Sequence, residues 1–547
     1  MTRRLTIPLL AATLLLLAAA AVSLSGETLT ARAAAGDRSF VHHPTLVPVD
    51  PERNYPKTLS TPHIGEFPRQ SYAVDLIDGY VISGGDFLSV EKPDGTVVSQ
   101  EYLAIYDSST KQLQCESLTV DDEVHSLAPG PFPRTAIIGG KFDRVQGADG
   151  VQRTRNKVAL IHLDTCEVNR NWIVNGLNGN VIELAVSGDR LFLGGDFTSI
   201  DGQPIGHLAE VDHTTGELNP AMKFSFTGGI APARRIVGLE ANEAGTRLGV
   251  VHRSTSINNI PMRGTAVINI SNPTAPSLTR HRLSASAKAY TYYYDIQDGA
   301  IDPDFTYFAL AQGTATVSDY VTRVNVTEAP NQFVWQHFMH DSSFGIAASN
   351  NAIYVGGHFC QIESGPGPTA TMTPNTLDTC TGNFFGGVWR SQLAALDPSD
   401  GTPLEWNPGN DSRVGARALT VVSRGLLVGY DGSFTHGTNG FNNVGTTAFF
   451  DFGADQDPTP VGPTCTATAN ADNTITVDWT TATGITDYQV RRLDLNDPAG
   501  TVQWRATVDA APYTWDDNPG PGNWQYQIRY RQGGVQDVIC NPNITVG

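Results

Sequence analysis

The stretch Arg190-Leu-Phe-Leu-Gly-Gly-Asp-Phe-Thr-Ser-Ile-Asp-Gly202 decides the fold, because shorter copies of it recur along the chain. Each copy is an apolar, strand-like run that ends in Gly-Gly-x-Phe, and the copies lie at residues 80–87, 135–142 and 352–359, with a degenerate one at 426–434. The glycines Gly85, Gly140 and Gly195 are 55 residues apart. The same step leads to apolar runs at 247–251 and 307–311 that lack the glycine pair. The sequence therefore predicts seven units of one repeat.

The third unit shows how one repeat is built. Residues 181–187 alternate and are rich in β-branched side chains, Gly188-Asp189 is a two-residue hairpin turn, and residues 190–196 form a second strand. A third strand at 206–212 and a fourth near Glu217 follow. Four antiparallel strands in a repeat of this length are typical of a β-propeller blade. We therefore predict an all-β, seven-bladed β-propeller; because units four and five lack the glycine pair, six or eight blades remain alternatives.

The seventh unit lacks room for a fourth strand. Its third strand, at 446–452, runs into the proline-rich segment 455–463. Residues 39–48, before the first unit, are the candidate to pair with this edge, since an unpaired edge invites aggregation. The sequence predicts a ring closed by an N-terminal strand.

The glycine pairs are predicted to act in packing between blades. Two glycines at the end of a strand allow a positive φ and the close approach of a neighbouring sheet. The phenylalanine that follows can fill the wedge between blades. A loop that cradles phosphate is the alternative, but neither a helix start nor a lysine follows. The predicted packing residues are Gly84, Gly85, Phe87, Gly139, Gly140, Phe142, Gly194, Gly195, Phe197, Gly356, Gly357 and Phe359.

Each third strand tends to end in Asp or Asn. A ring of metal ligands is one interpretation, but Asp and Asn also begin turns by accepting a hydrogen bond from the backbone two residues on, and we favour turns. The residues are Asp107, Asp164, Asp212, Asn269, Asn325, Asp397 and Asp451.

The chain is predicted to be exported. A basic start at 1–4, an apolar run at 5–24 and the small residues at 33–35 are typical of a signal peptide, with an uncleaved anchor as the alternative. No other run approaches membrane-spanning length, so we expect no span after cleavage and a secreted or cell-surface location. The predicted divisions are a signal peptide at 1–35, a β-propeller at 36–456, a linker at 457–463 and a β-sandwich at 464–547.

Charge and cysteine content narrow the class further. The chain has 547 residues with 36 Lys and Arg against 55 Asp and Glu, a formal net charge of -19. That balance argues against nucleic acid and anionic lipid as partners. Six cysteines in an exported chain are expected to pair. Zinc is disfavoured because no C-x-x-C occurs. The expected pairs are Cys360 with Cys380, Cys465 with Cys540 and, as the remaining two, Cys115 with Cys166.

Long loops after the second strands lie on one face, and this face is the candidate for binding. The loops span 88–100, 143–156, 360–390 and 431–445. Long loops inside a compact domain are often functional, and exposed aromatic residues with Arg are typical of contact surfaces. A small satellite core under the loop is the alternative. The candidate contact residues are Phe384, Phe385, Trp389 and Arg390.

No cofactor and no catalytic residue are predicted, because neither G-x-S-x-G nor H-E-x-x-H occurs. His337 and His340 with Asp341 suggest a metal site, but residues three apart on a strand point to opposite faces. An aspartate cluster is the one weak candidate for Ca²⁺, although its Asp-Gly and Pro are ordinary turn chemistry. The cluster comprises Asp295, Asp298, Asp302 and Asp304.

The motif GG-x-F-x-x-x-x-G, complete at 194–202, together with His207-Leu-Ala-Glu-Val-Asp212, resembles secreted bacterial β-propeller repeat proteins over residues 70–455. From residue 464, alternating strands at 474–479 and 524–530 resemble a fibronectin type III domain. The resemblance implies the fold and not an activity. From the long-loop face we expect a non-enzymatic recognition or scaffold protein that binds an extracellular protein or glycan through that face.

The alternative is an extracellular enzyme, a glycosidase or lyase, acting on polysaccharide through carboxylates at the channel mouth, such as Asp86 and Asp196. Nothing in the sequence indicates an oligomeric state.

Overall fold

A computed structural model describes residues 41–60, 68–229, 236–242, 244–279, 296–302, 307–313, 319–325, 332–363, 387–437, 440–453, 465–479, 488–495, 502–508, 514–531, 535–540 and 544–546. These residues form β-strands and no helix, which confirms the all-β prediction. Accordingly, no helix of sufficient length and apolarity to cross a membrane occurs in these ranges. The predicted signal peptide and linker lie outside the described residues.

Seven antiparallel sheets follow one another along the chain and are numbered here in chain order. Sheet 1 contains Ser71–Ile77, Tyr80–Gly85, Leu103–Asp107 and Leu113–Gln114; sheet 2, Val124–Pro129, Thr135–Gly140 and Val158–His162; sheet 3, Val181–Ser187, Arg190–Gly195 and Leu208–Asp212; sheet 4, Ile236–Ala241, Arg247–His252, Gly264–Asn269 and Ser277–Thr279; sheet 5, Ile296–Ile301, Tyr307–Gln312, Tyr320–Asn325 and Gln332–Phe338; sheet 6, Ser343–Ala348, Ile353–Gly357 and Leu393–Leu396; sheet 7, Ala418–Val422, Gly425–Gly429 and Thr447–Asp451.

The sheets are arranged around a central channel in a propeller-like manner. The first strand of each sheet contacts the first strand of the next, and the first strand of sheet 7 contacts that of sheet 1. Apolar clusters fill the space between neighbours. One cluster combines Ile82 of sheet 1 with Leu127 of sheet 2, and another combines Leu427 of sheet 7 with Val81 of sheet 1. Burial of these faces against each other is the main force that holds the sheets together.

The long loops after the second strands contain short hairpins. These hairpins are Ser89–Glu91 with Val97–Ser99, Arg144–Gln146 with Gln152–Thr154, Ser256–Ile257 with Ile260–Pro261, Gln361–Glu363 with Gly387–Trp389, and Phe434–Gly437 with Gly440–Asn443. Three of them gain a third strand from the segment that precedes their sheet: Lys57–Thr58, Thr119–Val120 and Phe226–Thr227. The long-loop face predicted from the sequence is therefore built from ribbons of paired strands, and it is called the hairpin face below.

The N-terminal segment does not follow its predicted path. Val41 forms a parallel bridge with Ser349 beside sheet 6, and His43 Nε2 lies 2.8 Å from the carbonyl oxygen of Val422 in sheet 7. The third strand of sheet 7 instead receives one hydrogen bond, from Glu52 N to the Phe449 oxygen at 2.6 Å. The expectation that residues 39–48 form a paired edge strand is wrong in the described part, residues 41–48. Prolines at 44, 48 and 51 lack the N–H groups that such a strand needs.

Hydroxyl groups connect sheet 7 to sheet 1. Ser71 Oγ lies 2.8 Å from Ser83 Oγ, 2.8 Å from Thr446 Oγ1 and 3.0 Å from Thr447 Oγ1. Thr58, from the ribbon of sheet 1, approaches Thr446 at 2.6 Å. These partners satisfy each other away from water, so the polar seam does not carry the cost of unpaired hydroxyls.

The turn interpretation of the Asp and Asn residues is confirmed at five of the seven third strands. In each case the side-chain oxygen accepts a hydrogen bond from the backbone N–H two residues on, at 2.7 to 3.0 Å. The residues are Asp107, Asp212, Asn269, Asp397 and Asp451. These side chains fix turns, as expected of short polar groups at strand ends.

The C-terminal residues form two sheets around a shared core. One sheet contains Cys465–Ala469, Ile475–Trp479 and Thr514–Asp517; the other contains Tyr488–Asp494, Val502–Val508, Gly522–Arg531, Val535–Ile539 and Ile544–Val546. The side chains of Trp479, Tyr488, Trp524 and Tyr526 are buried between them.

Two of the predicted disulfides are present. Cys465 pairs with Cys540, with Cα atoms 4.4 Å apart, and joins the first strand of the C-terminal residues to the end of a later one. Cys115 pairs with Cys166, with Cα atoms 5.0 Å apart, and joins sheets 1 and 2. Cys380 lies outside the described residues, so its pairing with Cys360 stays a prediction.

Candidate binding site at the channel mouth

The glycine pairs lie where backbones approach each other closely. A Cβ on the second glycine would overlap the carbonyl oxygen of the residue before the first strand, as for Gly85 with Gln70 and Gly195 with Asn180. A Cβ on the first glycine would meet the next sheet, 2.6 Å from Val124 for Gly84 and 2.8 Å from Ile236 for Gly194. None of the eight glycines has a positive φ, so that part of the expectation is wrong. Steric space is what these positions require.

The motif phenylalanines are fully buried. Phe142 lies in the apolar cluster between sheets 1 and 2, and Phe197 in the one between sheets 2 and 3. Phe359 lies between sheets 5 and 6, and Phe87 between sheets 7 and 1. Each ring therefore occupies the wedge between its own sheet and the preceding one.

The variable residue between Gly-Gly and Phe anchors the start of the first strand of its sheet. Asp196 Oδ1 accepts a hydrogen bond from Asn180 N at 2.6 Å, and Asp86 accepts one from Gln70 N in the same way. In sheet 2 the equivalent Lys141 instead forms a side-chain ion pair, with its Nζ 2.6 Å from Oε2 of Glu123, the residue before that strand. Different interactions thus join this position to the residue before the first strand.

Six of the seven first strands carry a β-bulge at their second residue. The pairing register shifts there, so that one residue has no partner on the second strand. Bulges of this kind turn a side chain out of the regular alternation and are frequent near binding sites. The bulged residues are Tyr72, His125, Ile182, Val237, Gln297 and Phe344, and all six line the channel.

The channel holds a cavity of about 290 Å³. Most of its lining comes from the first strands of all seven sheets or from the residue before them, such as Arg417 before sheet 7, and Lys141 and Asp196 join from the ends of second strands. The bulges lie where the first strand begins and the second strand ends. The long hairpins leave from the same ends, so the bulged residues form the channel mouth at the centre of the hairpin face.

A charged and aromatic group lies at this mouth. The rings of Tyr72 and His125 are stacked, with centroids 4.8 Å apart and planes at 6°. His125 Nε2 lies 2.9 Å from Glu123 Oε2, which also contacts Lys141. Burial raises the pKa of Glu123, but hydrogen bonds from His125 and Lys141 outweigh that effect and lower it to about 2. Glu123 is therefore a fixed anion that orients its two neighbours.

Asp298 follows the bulged residue Gln297 and also lines the cavity. Its Oδ1 accepts a hydrogen bond from Gly299 N at 2.7 Å, and its Oδ2 accepts one from Ile346 N of sheet 6 at 2.9 Å. Burial raises the pKa of this carboxyl to about 7. Both oxygens therefore serve the contact between sheets 5 and 6. Asp295 and Asp304 of the proposed Ca²⁺ cluster lie outside the described residues.

The predicted contact residues Trp389 and Arg390 differ in their exposure to solvent. Trp389 is 48% exposed on its hairpin, whereas Arg390 is only 6% exposed. The Arg390 guanidinium donates to the carbonyl oxygens of Trp389 and Leu404 at 2.8 and 2.7 Å. The expectation that Arg390 is exposed is therefore wrong, because its charge is used to hold local backbone. Phe384 and Phe385 lie outside the described residues.

The proposed metal and carboxylate sites are also placed apart. His337 is buried with Nε2 3.1 Å from the Asp400 oxygen, whereas Asp341 pairs with His358 at 3.0 Å. Of Asp86 and Asp196, only Asp196 lines the cavity. Over the described ranges, no group of three or more His, Cys, Asp or Glu side chains is placed to hold a metal ion.

Tyr72, His125 and Arg417 of the channel mouth are not among the candidate residues predicted from the sequence. A signal was available for some positions, since Tyr72, Ile182 and Phe344 each lie 13 residues before the second glycine of their unit. Their common role depends on the bulge, which an alternating pattern does not reveal.

No protein-family model matches the sequence, and no curated protein does so either. Among solved structures, a crystal structure of RRP9 WD40 repeats is similar, with 9% sequence identity, a TM-score of 0.36, and coverage of 69% of this chain and 91% of that one. At this TM-score the similarity is too weak to support an inference about function.

Proposed function

We propose that this protein is an exported, non-enzymatic recognition or scaffold protein that binds an extracellular protein or glycan through its hairpin face. The proposed architecture is a seven-bladed β-propeller in which the first strand of sheet 7 packs against that of sheet 1, followed by a fibronectin type III-like β-sandwich that acts as a spacer.

The set of β-bulges carries this proposal. Six sheets each direct one side chain into the same channel mouth, and four of these side chains are aromatic or polar: Tyr72, His125, Gln297 and Phe344. Aromatic and polar groups that converge in a preformed cavity are typical of ligand sites. The surrounding hairpins add a rim on which Trp389 is exposed.

The proposed architecture has separate support. The cycle of contacts among the first strands of seven sheets favours a closed ring of seven blades. Two C-terminal sheets with a buried Trp479 between them favour a fibronectin-like sandwich. The disulfides Cys115–Cys166 and Cys465–Cys540 favour an oxidising compartment.

The test is a binding screen of the full exported chain against a glycan array and purified envelope polymers, repeated with two matched variants. Trp389→Ser removes an exposed aromatic from the hairpin face. Phe132→Ser removes one that is 39% exposed, in the turn between the first two strands of sheet 2, on the opposite face. We expect a bound ligand to be lost or weakened about 10-fold or more with Trp389→Ser only, as for an aromatic contact residue. Equal loss in both variants, or no ligand in the screen, would contradict the proposal.

A further inference from the structure

Arg417 carries a positive charge at the channel mouth without a counter-ion. The centre of its guanidinium lies 4.3 Å from the ring centroid of Phe344. Its Nε is buried and has no hydrogen-bond partner. In the ranges that the structure describes, no carboxylate forms an ion pair with it, although Asp86 and Asp431 act on it from farther away. A partly buried guanidinium with unused N–H groups is a ready site for a planar anion.

Tyr72 adds a second donor on the same side of the mouth. Its hydroxyl oxygen accepts a hydrogen bond from Gln70 Nε2 at 3.1 Å. No described residue accepts the hydroxyl proton in return. Tyr72 and Arg417 line the same cavity. Burial raises the pKa of Tyr72, and the positive charge of Arg417 offsets part of that rise. Tyr72 therefore stays protonated at neutral pH and can donate.

The size of the cavity and the surrounding charges limit the size and the charge of the ligand that can bind. About 290 Å³ is at the lower end of small-molecule sites, and it suits one sugar ring or one amino acid. The carboxylates of Asp86, Glu123 and Asp431 also act on Tyr72 or Arg417, and those of Glu183, Asp196 and Glu240 line the same cavity. They oppose a doubly charged phosphate more strongly than a singly charged group.

We infer that the channel mouth binds the carboxylate of a small ligand, with the Arg417 guanidinium and the Tyr72 hydroxyl as donors and the Phe344 ring holding the guanidinium in place. This inference specifies the ligand chemistry of the proposed function, and it rests on that function because it takes the hairpin face as the binding face. The carboxylate has two sources in extracellular material, a uronic acid or the end of a peptide, and the chemistry of recognition is the same for both.

The experiment is calorimetric titration of the full exported chain with matched probes. D-glucuronate is compared with D-glucose, and N-acetylglycine with N-acetylglycinamide, so that each pair differs in the carboxylate. Inorganic phosphate is the third probe. The variants are Arg417→Gln and Tyr72→Phe, and the control is Arg413→Gln, which removes the same charge from an exposed neighbour. Thermal unfolding midpoints show whether each variant is folded.

We expect at least one carboxylate to bind at least 10-fold more tightly than its neutral analogue and than phosphate. Arg417→Gln is expected to weaken that binding about 10- to 100-fold, as for loss of a charge-assisted hydrogen bond. Tyr72→Phe is expected to weaken it about 3- to 10-fold, and Arg413→Gln to leave it unchanged. The carboxylate that binds identifies the source.

The inference would be overturned if neither carboxylate binds, or if the neutral probes or phosphate bind as tightly as the carboxylates. It would also be overturned if Arg417→Gln and Arg413→Gln have equal effects on binding. Failure of the polymer screen with intact carboxylate binding would overturn only the proposed macromolecular role. Polymer binding that is lost with Trp389→Ser but unaffected by Arg417→Gln would retain the proposed function and remove the carboxylate site.

Discussion

Sheets 3 and 4 place the same bulge beside different residues. In sheet 3, Gly195 pairs with Val181 at the bulge; in sheet 4, His252 pairs with Ile236 at the equivalent place. Sheet 5 repeats the second arrangement with Gln312. The side chains of His252 and Gln312 are fully buried. The bulge therefore does not require glycine.

The difference between the sheets with and without the glycine pair indicates the steric role of the second glycine. In sheets 1, 2, 3 and 6 the carbonyl oxygen before the first strand occupies the space that a Cβ would need. In sheets 4 and 5 a buried polar side chain takes that position and forms its own bonds, as with His252 Nδ1, which accepts from Ser254 N at 3.2 Å. The residues directly before the first strands of these two sheets lie outside the described ranges. The bulge in the first strand is thus common to these sheets, whereas the residue opposite it is a glycine in sheets 1, 2, 3 and 6 and a buried polar residue in sheets 4 and 5.

The first prediction concerns the disulfide between sheets 1 and 2, whose removal is expected to cost the most stability. Sheets 4 and 5 have no such bond, because residues 236–338 contain no Cys. The double variant Cys115→Ala, Cys166→Ala is expected to lower the free energy of unfolding by about 2 to 5 kcal/mol, since the disulfide restricts the unfolded chain. Urea unfolding measures it, with Cys465→Ala, Cys540→Ala as the comparison for the C-terminal sheets. A loss below about 1 kcal/mol would show that apolar contacts alone hold sheets 1 and 2 together.

The second test asks whether the glycine position tolerates a methyl group. Gly195→Ala is expected to lower the free energy of unfolding by about 2 to 3 kcal/mol, because the Cβ overlaps the Asn180 carbonyl and the backbone must move. Gly453→Ala is the matched control, since the nearest atom to its Cβ is 3.6 Å away and its φ is not positive. Urea unfolding of both variants measures the difference. Equal stabilities would refute the steric role.

Asp298 provides a pH test at the seam between sheets 5 and 6. Its native pKa of about 7 exceeds the unfolded value of 3.8, so the native state binds more protons between these values. The contribution of Asp298 to the free energy of unfolding is therefore greatest below about pH 4 and falls as pH rises to 7, by at most about 1.4 kcal/mol per pH unit. Asp298→Asn is expected to remove that slope in unfolding measured from pH 4 to 8. An unchanged slope would exclude Asp298 as its source.

The smallest expected effect concerns the variable residue of the motif. Asp196→Ala leaves Asn180 N without its acceptor and is expected to cost about 1 kcal/mol of unfolding free energy. Asp196→Asn keeps an acceptor oxygen and is expected to cost less than half as much. Thermal unfolding midpoints compare the two, and equal losses would show that the charge, rather than the hydrogen bond, matters.

Local features were predictable from the sequence because neighbouring residues decide them. The second strands, the turns after the third strands and the class of the fold follow from alternation, turn residues and the repeated motif. The path of residues 41–58 was not predictable, because it depends on distant partners such as Val422 and Phe449. The burial of Arg390 was not predictable for a similar reason, since its carbonyl partner Leu404 lies 14 residues farther along the chain.

From the sequence it was possible to predict the all-β class and two disulfide pairs, because hydrophobic alternation acts over short segments and the cysteine count limits the pairings. The tertiary structure was needed to show that six bulges turn their side chains into one channel, and that Arg417, which packs on the Phe344 ring, lines it together with Tyr72. Such a mouth is assembled from seven sheets, and residues as far apart in sequence as Tyr72 and Arg417 become neighbours only when the ring closes.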